Sequence, residues 1–301
     1  MNNIKTVFSI KDLENLSGIK AHTIRIWEKR YNALVPMRTS SNIRVYDLAA
    51  LQKLLNIKLL HNHGYKISKI SKLENDRIRE LVNEITSSKN RNQHVISAMK
   101  VAMMNFDSAQ FLNIYDSLAA EKPFRQIFYE VFHPLLEDLG FLWQTDTITP
   151  AHEHFISYLI KQKILVNTEE VQKAGPTNTD KTFVLFLPLH EVHELGLMYI
   201  NYELLAQGHR SVYLGESVPM SSLKSIKDHF GNVIYISYLT CAPNREDLPG
   251  YLREIQSEIL REQDELWILG THTEDLAEAD LPKDVRHFTS IQSVIAQTNE
   301  Q

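Results

Sequence analysis

The stretch KTFVLFLPLHEVHELG, residues 181–196, decides how the second half of this chain folds. It begins with a short apolar run and turns polar at once, before a segment that can be helical. Such a run reads as a strand buried on both faces. Four more runs of the same kind follow: RSVYLG from Arg210, NVIYISYL from Asn232, ELWILG from Glu265 and VRHFTS from Val285. Each is trailed by a stretch able to form a helix, and strands alternating with helices predict a flavodoxin-like, doubly wound parallel sheet over residues 181–301.

The polar half of the quoted stretch holds two histidines and two glutamates. Zinc-protease chemistry needs histidines at i and i+4 with a glutamate beside the first, but His190 and His193 are three apart and Glu194 stands where the second histidine belongs. A metal held by His190 and His193 stays open, though no third ligand stands out. A serine-hydrolase elbow is absent, since no G-x-S-x-G occurs. The position carries more information than the composition, because ligands of doubly wound sheets bind at the carboxyl ends of the strands. Glu191-x-His193-x-x-Gly196 lies there, so His193 could ligate a cofactor, Glu191 could orient it, and Gly196 would admit a bulky group close to the next helix.

With 301 residues the chain has room for two or three domains. Its one cysteine, Cys241, excludes an internal disulfide and a multi-thiolate metal site. No run approaches the ~18 apolar residues of a membrane span, and no signal core opens the chain. The expectation is a cytoplasmic protein without a membrane partner. Residues 1–75 carry nine Lys and four Arg against five acidic residues, a net of +8, which leaves −13 for the rest of a chain whose total is −5. A basic head on an acidic body suits contact with nucleic acid through one domain.

That head reads as two short helices around Gly18, the first capped by Ser9, the second from about Lys20 to Tyr31. A wing-like hairpin follows around Thr39 to Asn42, then a helix from Asp47 to about His63. The apolar pattern resumes from Ile67 to Ile85 and breaks at SSKNRN. Lys20, His22 and Thr23 lead the second helix and could reach base edges, with Arg25, Lys29 and Arg30 along it. Arg38 and Arg44 flank the wing turn. From His94 to about Glu170 helical spacing punctuated by Pro123, Pro134 and Pro150 predicts about four bundled helices, and residues 173–180 have linker composition.

The run from Ser9 to Leu60 resembles the winged helix-turn-helix DNA-binding domain of the MerR family, through Thr23-x-Arg25-x-Trp27-Glu28, Tyr31, Pro36-x-Arg38, Arg44-x-Tyr46 and Gly64. The resemblance implies a double-stranded DNA operator as partner and adds Tyr31 and Tyr46 to the DNA-facing set. Asn42-Ile43 stands where a wing glycine is usual, and Asn tolerates the left-handed conformation.

The C-terminal pattern is similar to the cobalamin-binding domain of methionine synthase, corrinoid mutases and related regulators: Glu191-x-His193-x-x-Gly196, then Ser237-x-Leu239, then Gly270 after a further strand. The resemblance implies that His193 is the lower axial ligand of the cobalt in place of the cofactor's benzimidazole, with Glu191 its partner. Ser237 and Leu239 would then line a slot for the displaced nucleotide tail, and Thr271 departs from the usual second glycine. Between these parts, Trp143 followed after nine residues by Glu153-His154 resembles the motif of CarH/LitR-like, light-responsive repressors. There the bundle covers the adenosyl group, so residues 76–172 are expected to form that cover. In the best-known light sensors a histidine follows this tryptophan; here it is Gln144, with His152, His154 or His190 as possible substitutes.

Together these resemblances imply a non-enzymatic transcriptional repressor governed by adenosylcobalamin and light, acting as a homo-dimer or homo-tetramer. The alternatives are a MerR-type repressor independent of cofactor and light, and a corrinoid methyltransferase or mutase subunit.

Overall fold

A computed structural model describes residues 7–85, 88–274, 276 and 281–298. The chain forms two compact units, residues 1–160 and 161–301.

In the first unit, helix α1 (Ile10–Ser17) begins where Ser9 Oγ accepts from the Asp12 amide at 3.1 Å and the Asp12 carboxylate accepts from the Ser9 amide at 2.7 Å, a reciprocal cap. Helix α2 (Ala21–Tyr31) stops at Asn32, whose left-handed φ of 52° a β-branched residue would resist. The wing is the antiparallel pair β1 (Met37–Arg38) and β2 (Arg44–Val45). Asn42 takes φ 63° in its turn, so the expected substitute for glycine does adopt the left-handed form. Helix α3 (Leu48–Asn62) starts where Asp47 caps the Ala50 amide.

The expected continuous pattern from Ile67 to Ile85 is instead two helices, α4 (Ile67–Ile70) and α5 (Asn75–Ile85). The expected break at SSKNRN is mostly helix as well: α6 (Ser88–Asn105) begins inside it, while residues 86–87 lie outside the described residues. Three more rods complete a four-membered bundle: α7 (Ser108–Ala119), then α8 (Phe124–Ile127) running into α9 (His133–Gln144), then α10 (Pro150–Gln172). Pro134 does not punctuate the third rod. A π-helical turn (Phe128–Phe132) precedes it, and this wider turn accommodates a residue that lacks an amide hydrogen and whose ring would strike the carbonyl four residues back.

The head is fastened to the bundle within this unit. Helix α3 packs on α6, and the Asn15 amide donates to Thr147 Oγ1 at 2.8 Å.

The second unit is the doubly wound sheet expected from the sequence. Strands β3 (Asn178–Pro188), β4 (His209–Val218), β5 (Val233–Tyr238), β6 (Glu265–Leu269) and β7 (Val285–His287) are all parallel, in the order β4-β3-β5-β6-β7. Residues 183–188 of the central β3 are buried on both faces, which is why that run carries no polar alternation. Helices α11 (Leu195–Ala206), α12 (Met220–Lys227), α13 (Leu248–Glu258) and α14 (Ile291–Thr298) complete the layers. The expected linker is shorter than its composition suggested, because Asn178 already pairs with His209 and the last three residues of that stretch belong to β3. Among the described residues no helix is long and apolar enough to cross a membrane.

Tyr46 is a core residue rather than a DNA-facing one. It is fully buried, bridged to Phe8 through the backbone, and its hydroxyl donates to Glu28 at 2.8 Å. Tyr46→Phe is expected to cost about 1–2 kcal/mol, because Glu28 loses a hydrogen bond in a half-buried place. Urea unfolding of the two proteins side by side measures the difference.

Candidate functional site

The strand order reverses direction of travel at β3 and β5, so the loops leaving those two strands diverge and open a crevice at their carboxyl ends. Glu191 lies at the mouth of the first loop, fully buried. Its Oε1 accepts from the amides of Val192 at 2.9 Å and His193 at 3.0 Å, and pairs with His193 Nδ1 at 2.7 Å. Its Oε2 accepts from the amides of Thr240, Cys241 and Ala242 at 2.9, 2.5 and 3.0 Å. One carboxylate therefore ties the loop after β3 to the loop after β5. Burial alone would raise its pKa, but the bonds from His193, Cys241 and Ala242 outweigh burial and hold the carboxyl well below the usual range.

An ionised Glu191 fixes the histidine. With Nδ1–H donated to the carboxylate, the neutral imidazole carries its lone pair on Nε2. The His193 side chain is 52% exposed, and two apolar neighbours on the same loop, Val192 and Leu189, are exposed as well. The arrangement is one oriented imidazole with an apolar surround, suited to a flat, largely apolar group that needs a single axial base. His190 and Glu194 serve the scaffold. His190 takes φ 69° and its amide donates to Ser217 Oγ, while Glu194 binds Lys161 and accepts from the Tyr213 hydroxyl at 2.9 Å. Among the described residues no group of three or more metal-ligating side chains gathers anywhere.

The rest of the sequence-derived set lies on the neighbouring strand ends. Ser237 is buried and its hydroxyl has no hydrogen-bond partner among the described residues. Leu239 is fully buried in the core against Leu248 and Leu252. Gly270 adopts φ 112°, and a Cβ there would lie 2.4 Å from the Leu239 carbonyl oxygen. Only glycine meets both demands. Thr271, the departure from a second glycine, donates its hydroxyl to the Thr240 carbonyl at 3.2 Å. At Gly196 a Cβ would lie 2.6 Å from the ring of Tyr238, a residue that sequence reasoning passed over because it is the variable middle of Ser237-x-Leu239. Buried Ser237, Gly270 and the oriented imidazole fit a corrinoid.

In the first unit Trp143 near the end of α9 is 56% exposed, and Phe141 and Tyr158 are exposed too. Glu153 and His154 lie in the first turn of α10, where Glu153 accepts from Ser157 Oγ at 3.0 Å and pairs with His154 Nδ1 at 3.2 Å. His152 cannot substitute for a ligand at Gln144: it is fully buried, stacked on Phe106 and bonded to Thr149.

On the head, Lys20, His22, Arg25, Lys29 and Arg30 are exposed on or before α2, with Thr23 and Tyr31 half-buried. Arg30 lies 5.7 Å over the Tyr31 ring. Arg44 is engaged by Glu28 at 2.9 Å, and Arg38 is held across the wing turn by Asn42 at 2.8 Å. Arg25 and Lys29 have no ion-pair partner among the described residues.

Comparison with known proteins accords with this division. Residues 8–76 match the family model of the MerR HTH family regulatory proteins, and residues 95–166 match that of the B12 binding domain. The chain is 29% identical over 222 residues to the HTH-type transcriptional repressor CarH of Myxococcus xanthus, covering 72% of this chain and 73% of that one. It is 23% identical over 218 residues to the repressor CarA of the same organism, covering 71% and 70%. The monomethylamine corrinoid protein of Methanosarcina barkeri superposes with a TM-score of 0.58 at 17% identity, covering 69% of this chain and 99% of that one, a likeness of fold.

Glu191→Ala is expected to destabilise the sheet unit by at least about 3 kcal/mol, since buried amides lose their acceptor together. Glu191→Gln, which keeps one acceptor oxygen, should lose less; denaturant midpoints followed by circular dichroism give both values.

Proposed function

We propose that this chain, which joins a MerR HTH domain to a B12 binding domain, is a DNA-binding transcriptional repressor with cobalamin as its effector. The observation that carries the reading is the Glu191-anchored imidazole of His193, exposed at the switch point of the sheet. Bound cobalamin would supply a cobalt able to take an imidazole and, in its adenosyl form, a light-sensitive cobalt–carbon bond. His193 Nε2 is the group proposed to hold the cobalt, pointed by the bond of its Nδ1 to Glu191. Ser237 is the proposed hydrogen-bonding residue for the displaced tail, and Gly270 keeps the exit of β6 open to the backbone beside it. Trp143, Glu153 and His154 are proposed as ligand-contacting residues, a role taken from the resemblance of their spacing.

The regulatory reading rests on avidity. A single basic head with few unpaired cations binds DNA weakly, so an effector that holds several heads together raises operator affinity without any new base contact. We propose adenosylcobalamin as that effector, light as the signal that releases it, and a homo-oligomer as the repressing form. A corrinoid methyl carrier shares the fold of the sheet unit, but Arg25 and Lys29 on an exposed recognition helix have no use in it.

The expected result is a visible spectrum of the protein with adenosylcobalamin that shifts on binding in the dark and changes on illumination. His193→Ala should lose the axial shift and at least about tenfold in affinity. Unchanged spectrum and affinity in that variant would refute the assignment. Operator binding should rise with adenosylcobalamin in the dark and fall in light; curves that coincide in all conditions would leave a repressor that ignores both. Arg25→Ala should weaken binding to all sequences and reduce the slope of log affinity against log salt by about 0.9 per head if it neutralises one phosphate.

A further inference from the structure

We infer that the cleft where α3 and α5 meet α6 and α7 is a binding site for a small organic carboxylate, separate from the crevice at the strand ends and independent of what binds there.

Residue spacing builds the cleft. His94, Ser97, Ala98 and Val101 stand on α6 at i, i+3, i+4 and i+7, so they share one face, and Gln52, Leu55 and Asn56 share a face of α3 in the same way. A helix face turned toward a neighbouring helix is ordinarily filled by large apolar side chains. Here α3 packs on α6, but Ser97 and Ala98 are short. The helices leave a space of about 250 Å³ between them, which Arg79 and Val82 of α5 and Gln110 of α7 also line. Pockets for drug-sized molecules run from about 300 to 1,000 Å³, so the ligand is a small one.

The lining sets the chemistry of that ligand. Leu55, Val82 and Val101 are buried and supply apolar surface. Asn56, His94 and Ser97 are half-buried and Gln52 is exposed, and none of these four side chains makes a hydrogen bond to the described residues. A ligand can bond to them without first breaking a bond within the described part of the protein. The ionisable residues of the lining are Arg79 and His94, and among the described residues that line it none is acidic. Arg79 pairs with Asp76 at 3.4 Å, one helical turn away, with side chains 65% and 89% exposed. An exposed pair of that length holds the guanidinium weakly. A guanidinium fork, an imidazole and two amides beside apolar surface match a carboxylate on a compact apolar body. A cation would be repelled, a neutral analogue would leave Arg79 unused, and an inorganic anion would leave the apolar surface in water.

The test is calorimetric titration of the full chain with benzoate, phenylacetate and hexanoate, and with benzamide and inorganic phosphate as controls. At least one carboxylate should bind saturably, with benzamide and phosphate at least about tenfold weaker. Arg79→Gln should weaken that carboxylate about tenfold, and Ala98→Leu, which fills the space, should abolish its binding. Circular dichroism reports whether the variants keep their helices; should Ala98→Leu lose them, Arg79→Gln at its exposed position carries the test. No saturable binding by any of the three carboxylates would overturn the site. Binding of benzamide or phosphate as tight as that of the carboxylate would overturn its chemistry, and carboxylate affinity unchanged in either folded variant would overturn its location.

Discussion

A buried carboxylate is costly unless its oxygens are satisfied, and Glu191 is satisfied by five backbone amides and one imidazole drawn from two different loops. The rest of the sheet unit's working end depends on that bond set. It closes the crevice at the strand-order reversal to a definite width, because the loop after β5 hangs from the same atoms as the loop after β3. It also selects the histidine's tautomer, so that a loop residue more than half exposed still has a defined direction. A carboxylate shared in this way cannot be traded for a neutral acceptor without loosening both loops.

A second carboxylate organises the DNA-binding head on the same principle at lower burial. Glu28 on α2 accepts from Tyr46 and pairs with Arg44, so the recognition helix and the wing move as one piece. That explains why some of the basic residues along this surface are spoken for and others are not. Arg44 and Arg38 keep the wing in shape, while Arg25 and Lys29 are exposed on α2 without an ion-pair partner among the described residues. The head in turn is fastened to the bundle by Asn15 and by the packing of α3 on α6.

Much of this was legible from residue order. The five strands were visible because a strand buried on both faces leaves an uninterrupted apolar run, and their alternation with helices left one plausible winding. Asn42 in the wing and Ser9 at the first helix were readable because caps and turns depend on neighbours a few residues away. The misses share a different cause. Pro134 looked like a terminator, yet a π-helical turn just upstream absorbs it. Tyr46 looked like part of a DNA-facing motif, yet its ring is core and its hydroxyl serves Glu28. His152 looked like a spare ligand, yet Phe106 covers it. In each case a partner distant in sequence or an unusual local hydrogen-bond register decided the outcome.

The sequence by itself determined the fold class, the order of elements and the one histidine worth singling out, because these follow from local periodicity and from spacing along a single loop. The tertiary structure decided what that histidine can do. Glu191 and three of the amides it binds, those of Thr240, Cys241 and Ala242, lie 49 to 51 residues apart along the chain, and only the pairing of β5 beside β3 brings them together. The same pairing brings the ring of Tyr238 onto Gly196, a contact set by a residue whose place in the motif allows any side chain.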